Sequence, residues 1–377
     1  MNFALLTDNL IVNIVLYIFY GSVLIQLIYY WGIFSRLAFY KNKNQARQPQ
    51  PVSVVICAKN EYYNLKENLP LILQQNYHDF EVVVVNDESD DETYFLLKLL
   101  QEEYKNLKIV NFTDNVNFFK GKKFPLSIGI KCAKNDLILL TDADCKPESN
   151  EWISRMQENF HSGTEIVLGY GKLKSEGSLL NKLIRFDTLH IAIQYLSMAL
   201  AGSPYMGVGR NLAYRKTLFY RQNGFISHYK LKSGDDDLFV NAAATSKNTK
   251  IMISHQSHTV SEAKKTFTNW IIQKRRHLTS GKRYKSSTKL NLGIYSFSQL
   301  VFFATFAVLV SVDYTFLIVY PLFVLRLSSQ LIIFKRAMIK LNEKNLFIGI
   351  PFFEIFFIIF NPLIVIYNTV SKPDKWK

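Results

Sequence analysis

The feature that most limits the fold is an apolar run from Leu10 to about Phe34, with no charged residue until Arg36. About 20 apolar residues suffice to cross the roughly 30 Å of bilayer hydrocarbon. The run is longer than a signal-peptide core and has no basic segment before it, so a membrane helix is expected. Arg36, Lys41, Lys43 and Arg47 follow, then the loop signal Gln48-Pro49-Gln50-Pro51. Basic residues favour the cytoplasmic side, which puts the chain beyond Arg36 there. Past about Asn291 three further runs, about Leu292–Val310, Tyr314–Phe334 and Phe347–Val370, read as spans. Lys335, Arg336 and Lys340 place the loop between the last two in the cytoplasm, and the turn near Ser311–Asp313 outside. A final crossing would leave Lys372, Lys375 and Lys377 outside, against the same tendency, so one run is open to a re-entrant or interfacial reading.

The middle of the chain is different. Strand-like runs at Val52–Ala58, Phe80–Asn86, Leu107–Asn111, Leu137–Thr141 and Glu165–Leu168 alternate with helical patterns at Tyr62–Gln75, Glu92–Tyr104 and Lys122–Ala133. That alternation predicts βαβ units and an α/β fold with a mainly parallel sheet. Continuously apolar strands such as Val82–Val85 require helices on both faces. The expected organisation is a membrane helix and basic linker (1–50), a catalytic domain (51–285) and a C-terminal membrane region of about three helices (286–377). The run Leu179–Leu200 mixes Leu183, Phe186 and Ile193 with Lys182, Arg185 and His190. It is too polar to span, and is either an amphipathic helix on the membrane, the reading favoured here, or a core helix. With 49% hydrophobic and 20% charged residues the chain is not disordered or collagenous. Its three cysteines, Cys57, Cys132 and Cys145, are an odd count without metal-ligand spacing, which suits reduced cytosolic thiols.

The sharpest chemical motif is Thr141-Asp142-Ala143-Asp144-Cys145, directly after an apolar strand. Ligands of open α/β sheets sit beyond the carboxyl ends of strands. Two carboxylates there suit a hard cation, Mg2+ or Mn2+, which prefers oxygen ligands and substrate phosphates. Asp87 also ends a strand and can accept from a nucleobase or sugar, while Asp90 or Asp91 is placed to cap the helix beginning near Glu92. Asn60 and Glu61 follow the first strand, and Gly121-Lys122-Lys123 opens a helix whose N–H groups and lysines attract anions. In Ser233-Gly234-Asp235-Asp236-Asp237-Leu238, mutual repulsion raises the affinity of at least one carboxylate for a proton, which suits a general base. Solvated helix-start acids would look the same. From Ala263 to Lys289 there are nine Lys or Arg and no acid. Trp270, Gln273, Arg276 and His277 share helical spacing and could present one face to a departing diphosphate, while Lys282, Arg283 and Lys285 suit lipid headgroups.

Taken together, residues 51–285 resemble the inverting, membrane-bound family-2 glycosyltransferases of the GT-A fold, related to processive polysaccharide synthases and lipid glycosyltransferases. Asn60 and Glu61 look like the family's opening turn, Asp87 its base-binding carboxylate, Gly121-Lys122 its nucleotide-side helix start, and Asp142/Asp144 its Asp-x-Asp pair. Gly207-Val208-Gly209-Arg210 resembles its acceptor segment. The resemblance implies a donor site of Asn60, Glu61, Asp87, Lys122, Asp142, Gln273 and Arg276, and a metal pair of Asp142 and Asp144. It implies an acceptor side of Gly209, Arg210 and His277. Aligned on Leu238 the base is Asp235, with Gly234 where a Glu is usual; a one-residue shift makes it Asp236. Gln273 and Arg276 match the Gln-x-x-Arg-Trp signature, but His277 replaces Trp.

What the resemblance implies is a sugar moved from a nucleotide-diphosphate sugar, with inversion and with Mg2+ or Mn2+, to a hydroxyl of a membrane-associated acceptor. That acceptor is a lipid, a lipid-linked saccharide or a growing polysaccharide, with addition of one or a few sugars favoured by the His277 departure. An integral membrane protein of a bacterial inner membrane with a cytoplasmic catalytic domain is expected, with the bilayer and no nucleic acid as partner. The alternatives are a membrane-bound nucleotidyl- or phosphotransferase, and a non-catalytic nucleotide-binding scaffold.

Overall fold

In the computed structural model, residues 9–41, 48–112, 121–231, 233–312 and 316–371 are described; Lys43, Arg47, Asp313, Tyr314, Lys372, Lys375 and Lys377 lie outside them. The strands are β1 (Val52–Ala58), β2 (Phe80–Asp87), β3 (Leu107–Phe112), β4 (Leu137–Leu140), β5 (Cys145–Pro147), β6 (Ile166–Leu168), β7 (Gly171–Leu173), β8 (Leu212–Arg215), β9 (Thr249–Ile251) and β10 (Thr259–Ser261). The helices of the central domain are α3 (Tyr62–Leu73), α4 (Thr93–Glu103), α5 (Lys123–Cys132), α6 (Trp152–Gln157), α7 (Leu179–Leu200), α8 (Lys216–Arg221), α9 (Asp237–Ala243) and α10 (Phe267–Ser280). Toward the membrane are α1 (Leu10–Leu27), continued through a π-helical segment at 28–34 into α2 (Ser35–Ala38), then α11 (Ser286–Ser311), α12 (Phe316–Lys340) and α13 (Ile350–Val370).

The main sheet has the order β3-β2-β1-β4-β8-β6-β9. Strands β3, β2, β1 and β4 run parallel, β8 is antiparallel to both its neighbours, and β6 is parallel to β9. Alternation along β1 and β2 feeds two cores. Val54, Ile56, Val82 and Val84 pack under α3, α4 and α6, while Val55 and Val83 meet Leu126 and Ile130 of α5. Gly129 makes that second layer close: a Cβ there would lie 2.7 Å from Val55 and 2.8 Å from Val85. Three-stranded β5-β10-β7 closes the domain beside the end of β4. The register pairs Ala58 with Asn86 and Val55 with Leu140. Asn60, Asp87 and Asp142 therefore emerge along one edge of the sheet.

Among the described residues, four helices are long and apolar enough to cross a membrane: 10–38, 286–311, 317–340 and 347–370. The first runs past the expected end at Phe34. Helix α7 is a core helix rather than a surface one: Ile184, Phe186, Leu189, Ile193 and Leu196 join the core that continues into Phe334, Phe353 and Phe357. Its buried Arg185 pairs with Glu343, just beyond α12, and Glu343 also accepts from the Tyr170 hydroxyl at 2.9 Å. That buried pair ties the α12–α13 connection to the central domain.

Candidate active site

The carboxyl edge of the sheet gathers the acidic clusters around two lysine-bearing turns. Lys122, just before α5, donates to Asp142 and lies 3.9 Å from Asp235. Burial disfavours its charge, but Asp142 and Asp235 outweigh burial and hold the ammonium well above its usual range. Burial likewise opposes ionisation of Asp142, yet Lys122, Arg210 and Arg276 hold its carboxyl below the usual range. Asp144 is raised by burial and by repulsion from Asp142 and Glu61. The Cys57 thiol, pushed up to about 12 by burial, sits in the combined field of Lys122, Asp235, Asp142 and Asp87. Asp87 closes β2, nearly buried and raised by that burial, with Lys59 opposing. Arg276 of α10 is lowered by burial and stabilised by Asp235, Asp142 and Asp236. Segments far apart in sequence thus face one crevice.

The three adjacent aspartates separate cleanly. Asp236 accepts from the Gly209 N–H at 2.7 Å and from the Asp237 N–H at 2.7 Å, so it fastens the 207–211 segment to the start of α9. Asp237 accepts from Ser280 and from Tyr284 at 2.7 Å, tying α9 to the end of α10. Asp235 is left facing Lys122. Its carboxyl is pushed up to about 6 by burial and then by Asp236, with Lys122 opposing; Asp236 rises to about 6 by burial and Asp237. Gly234 has φ +99°, and a Cβ there would strike Leu238 at 2.5 Å. The turn that aims Asp235 is closed to larger residues.

Other expected residues are placed differently. The Asn60 side chain accepts from the Asp90 N–H at 2.8 Å, and its own N–H donates to Ser89, so it fixes the neighbouring loop. Asp91, not Asp90, caps α4 through Thr93, and also accepts from the Tyr62 N–H. Arg210 donates to Ser261 at 3.1 Å, and its charge acts on Asp142 and Asp144. It thus stands near the Asp142/Asp144 pair. The expected single face of α10 is split, because a helix this close to two partners presents one face to each. Trp270 stacks on Phe360 and Lys274 binds Asp187 at 2.7 Å, away from the crevice, whereas Arg276 and His277 are turned toward it. Gln273 is half-buried. His277 keeps solvent contact while protein encloses it. Enclosure, with Arg276, Arg210 and Lys274, pushes its imidazole down to about 3.

Two residues take roles that the sequence reading did not give them. Lys123 is buried and donates to the carbonyls of His228 (2.7 Å), Leu231 (2.9 Å) and Ser233 (2.7 Å), holding the loop before Asp235. Cys145, dismissed on spacing, has its Sγ within 4.8 Å of the ligand oxygens of Asp142 and Asp144. It directly follows Asp144 in the chain, and the turn in which the Cys145 N–H donates to the Asp142 carbonyl at 3.0 Å keeps it beside the pair. The two carboxylates fit a divalent cation: their oxygens are hard donors, and the repulsion that raises Asp144 is what a cation would relieve.

Residues 53–221 match Glycosyl transferase family 2. An uncharacterized glycosyltransferase of Haemophilus influenzae is 32% identical over 146 residues, 38% of this chain and 41% of that protein. A poly-beta-1,6-N-acetyl-D-glucosamine synthase of Staphylococcus epidermidis is 28% identical over 163 residues, 41% of this chain and 37% of the synthase. The matched part thus spans about two-fifths of the length of these relatives. The mannosyltransferase PcManGT from Pyrobaculum calidifontis, solved in complex with GDP-Man and Mn2+, shares the fold at a TM-score of 0.57. That likeness covers 88% of this chain and 99% of that one at 17% identity. Residues 53–221 are thus similar to glycosyl transferase family 2, in a fold shared with that mannosyltransferase, and helices of membrane character adjoin this part at both ends.

Proposed function

We propose that the chain is an inverting, metal-dependent glycosyltransferase that moves a hexosyl unit from a nucleotide-diphosphate sugar to a hydroxyl of a membrane-associated acceptor, at the cytoplasmic face of a bacterial inner membrane. The observation that carries this reading is the Lys122 ammonium, which bridges the Asp142 carboxylate and the Asp235 carboxyl. Donor diphosphate and acceptor hydroxyl would meet between those two groups. The relatives named as glycosyltransferases and the GDP-Man complex of the fold neighbour support nucleotide-sugar chemistry.

Asp235, with its proton affinity near neutrality, takes the proton from the acceptor hydroxyl as that oxygen attacks the anomeric carbon. Attack from the face opposite the diphosphate inverts the carbon. Asp142 and Asp144 would hold Mg2+ or Mn2+, which supplies Lewis-acid neutralisation of diphosphate charge when bound. Arg276 and Lys122 bring fixed positive charge to the same diphosphate. Asp87 and Glu61 border the nucleoside, while Asp236 positions the Gly209 segment along the acceptor path. His277, held neutral, offers a hydrogen-bonding wall without adding charge.

The test is incubation of membranes containing the protein with a panel of labelled nucleotide sugars, followed by solvent partition and analysis of the released nucleotide. Transfer of sugar with release of nucleoside diphosphate is expected. Release of pyrophosphate would favour a nucleotidyltransferase instead, and absence of donor cleavage across the panel would favour a scaffold.

A further inference from the structure

We propose that α13, although long and apolar enough to cross a membrane, lies in the plane of the catalytic-side leaflet, so that the described helices cross only three times and Ser371 lies on the side of the catalytic domain. The argument rests on what α13 touches at each end. Near its start, Phe353 and Phe357 pack on Phe186 of α7, with ring centroids 5.3 and 5.9 Å away. In the middle, Phe360 stacks on Trp270 of α10 at 5.2 Å. At the far end, Arg275 of α10 lies 4.1 Å over the Tyr367 ring. Arg275 also donates to Asn368 at 2.8 Å and to the Ser371 carbonyl, and Asn368 donates back to the Arg275 carbonyl at 3.1 Å.

Those contacts are incompatible with a crossing. At about 1.5 Å per residue, Asn368 sits about 27 Å along the axis from Ile350, nearly the full depth of the hydrocarbon. Were α13 upright, its end would carry Arg275 to the opposite membrane face. Yet Arg275 is bonded in sequence to Arg276, which faces Asp142 and Asp235 in the crevice. Helix α10, with Lys274, Arg275, Arg276 and His277 in successive positions, belongs to the catalytic domain, and α13 follows it from Phe357 to Ser371.

The thickness of the bundle agrees. Glu354 of α13 binds Arg326 of α12 and accepts from Gln299 of α11 at 2.7 Å, and Gln26 of α1 joins the same cluster. Beyond that polar layer, residues 10–25 of α1 and 300–311 of α11 rise about 24 and about 18 Å, less than the ~30 Å of hydrocarbon. One helix diameter of about 10 Å makes up most of the difference, as an immersed in-plane helix would. The outward side of α13 is a continuous stripe of exposed Phe352, Ile355, Ile359, Leu363, Ile366 and Val370. Its partner is the acyl region of that leaflet, continuous with the lipid-facing sides of α11 and α12. A catalytic-side end also removes the conflict in charge pattern that residues 372–377 pose for a fourth crossing.

The test uses the full chain with one epitope before Met1 and another after Lys377, in sealed membrane vesicles of both orientations treated externally with protease. Cleavage of the catalytic domain marks which face is exposed. The expected result is that the C-terminal epitope is lost in the same vesicles as the catalytic domain, and the N-terminal epitope in the others. Loss of both epitopes together, in vesicles whose catalytic domain is protected, would overturn the proposal. The outcome does not depend on whether the crevice transfers sugar.

Discussion

Within the helical bundle, Arg326 donates to both Gln330 and Glu354 and also to Gln26, while Glu354 accepts in addition from Gln299. In the crevice, Asp235 faces Lys122 at 3.9 Å and is crowded by Asp236, and Asp144 is crowded by Asp142 and Glu61. Both regions bury charge. The bundle closes its charge within the protein, as a layer with no water must. The crevice leaves carboxylates in surplus over cations, at a free-energy cost that a bound cation and a reacting hydroxyl would recover. Balanced charge marks a structural cluster and surplus marks a chemical one.

The sharpest way to break that contrast is to remove the surplus acid. Asp235→Asn should lower turnover by about 10²–10⁴-fold, the usual contribution of a general base, with the protein still folded. A steady-state assay with a saturating accepted donor checks it. Removing a partner from the charge-balanced cluster should act on stability instead. Arg326→Met leaves Glu354 buried without its cation and should cost about 3–5 kcal/mol, read by thermal or chemical unfolding in detergent. The folded fraction should keep its donor KM. If Arg326→Met changes KM and leaves the melting point alone, the bundle cluster is not merely structural.

A smaller effect follows from pH. Asp235 must be ionised to accept a proton, and its carboxyl is raised to about 6. Activity should therefore be lost as pH falls through about 6, with turnover about tenfold lower at pH 5 than on the plateau. A pH–rate profile with an inflection near 4 would place the base in an ordinary carboxylate environment. Smallest of all, Asn60→Gly keeps the left-handed backbone (φ 55°) and deletes the bond from Asp90. It should cost about 0.5–1.5 kcal/mol and raise donor KM a few-fold.

Several of these distinctions were legible in the sequence and several were not. The β1, β2 and β4 runs are four or more apolar residues ending in polar clusters, so the crevice edge could be read directly. Strands β5, β7, β9 and β10 are three residues long and carry no usable period. Lys122 and Lys123 look alike in a string, yet one enters the crevice and the other satisfies three carbonyls. Likewise nothing in Asp235-Asp236-Asp237 says which side chain is consumed by backbone N–H groups, because that depends on where the 207–211 segment returns. The apolar run of α13 has the length of a span, and length alone is blind to what its ends touch.

The most direct measurement of the central claim, that distant acidic clusters form one site with divided roles, is equilibrium binding of an accepted nucleotide sugar with Mn2+ to Asp235→Asn and Asp144→Asn. The account predicts near-normal donor affinity for Asp235→Asn and a loss of about tenfold or more for Asp144→Asn. Equal loss in both variants, or normal affinity in both, would contradict it.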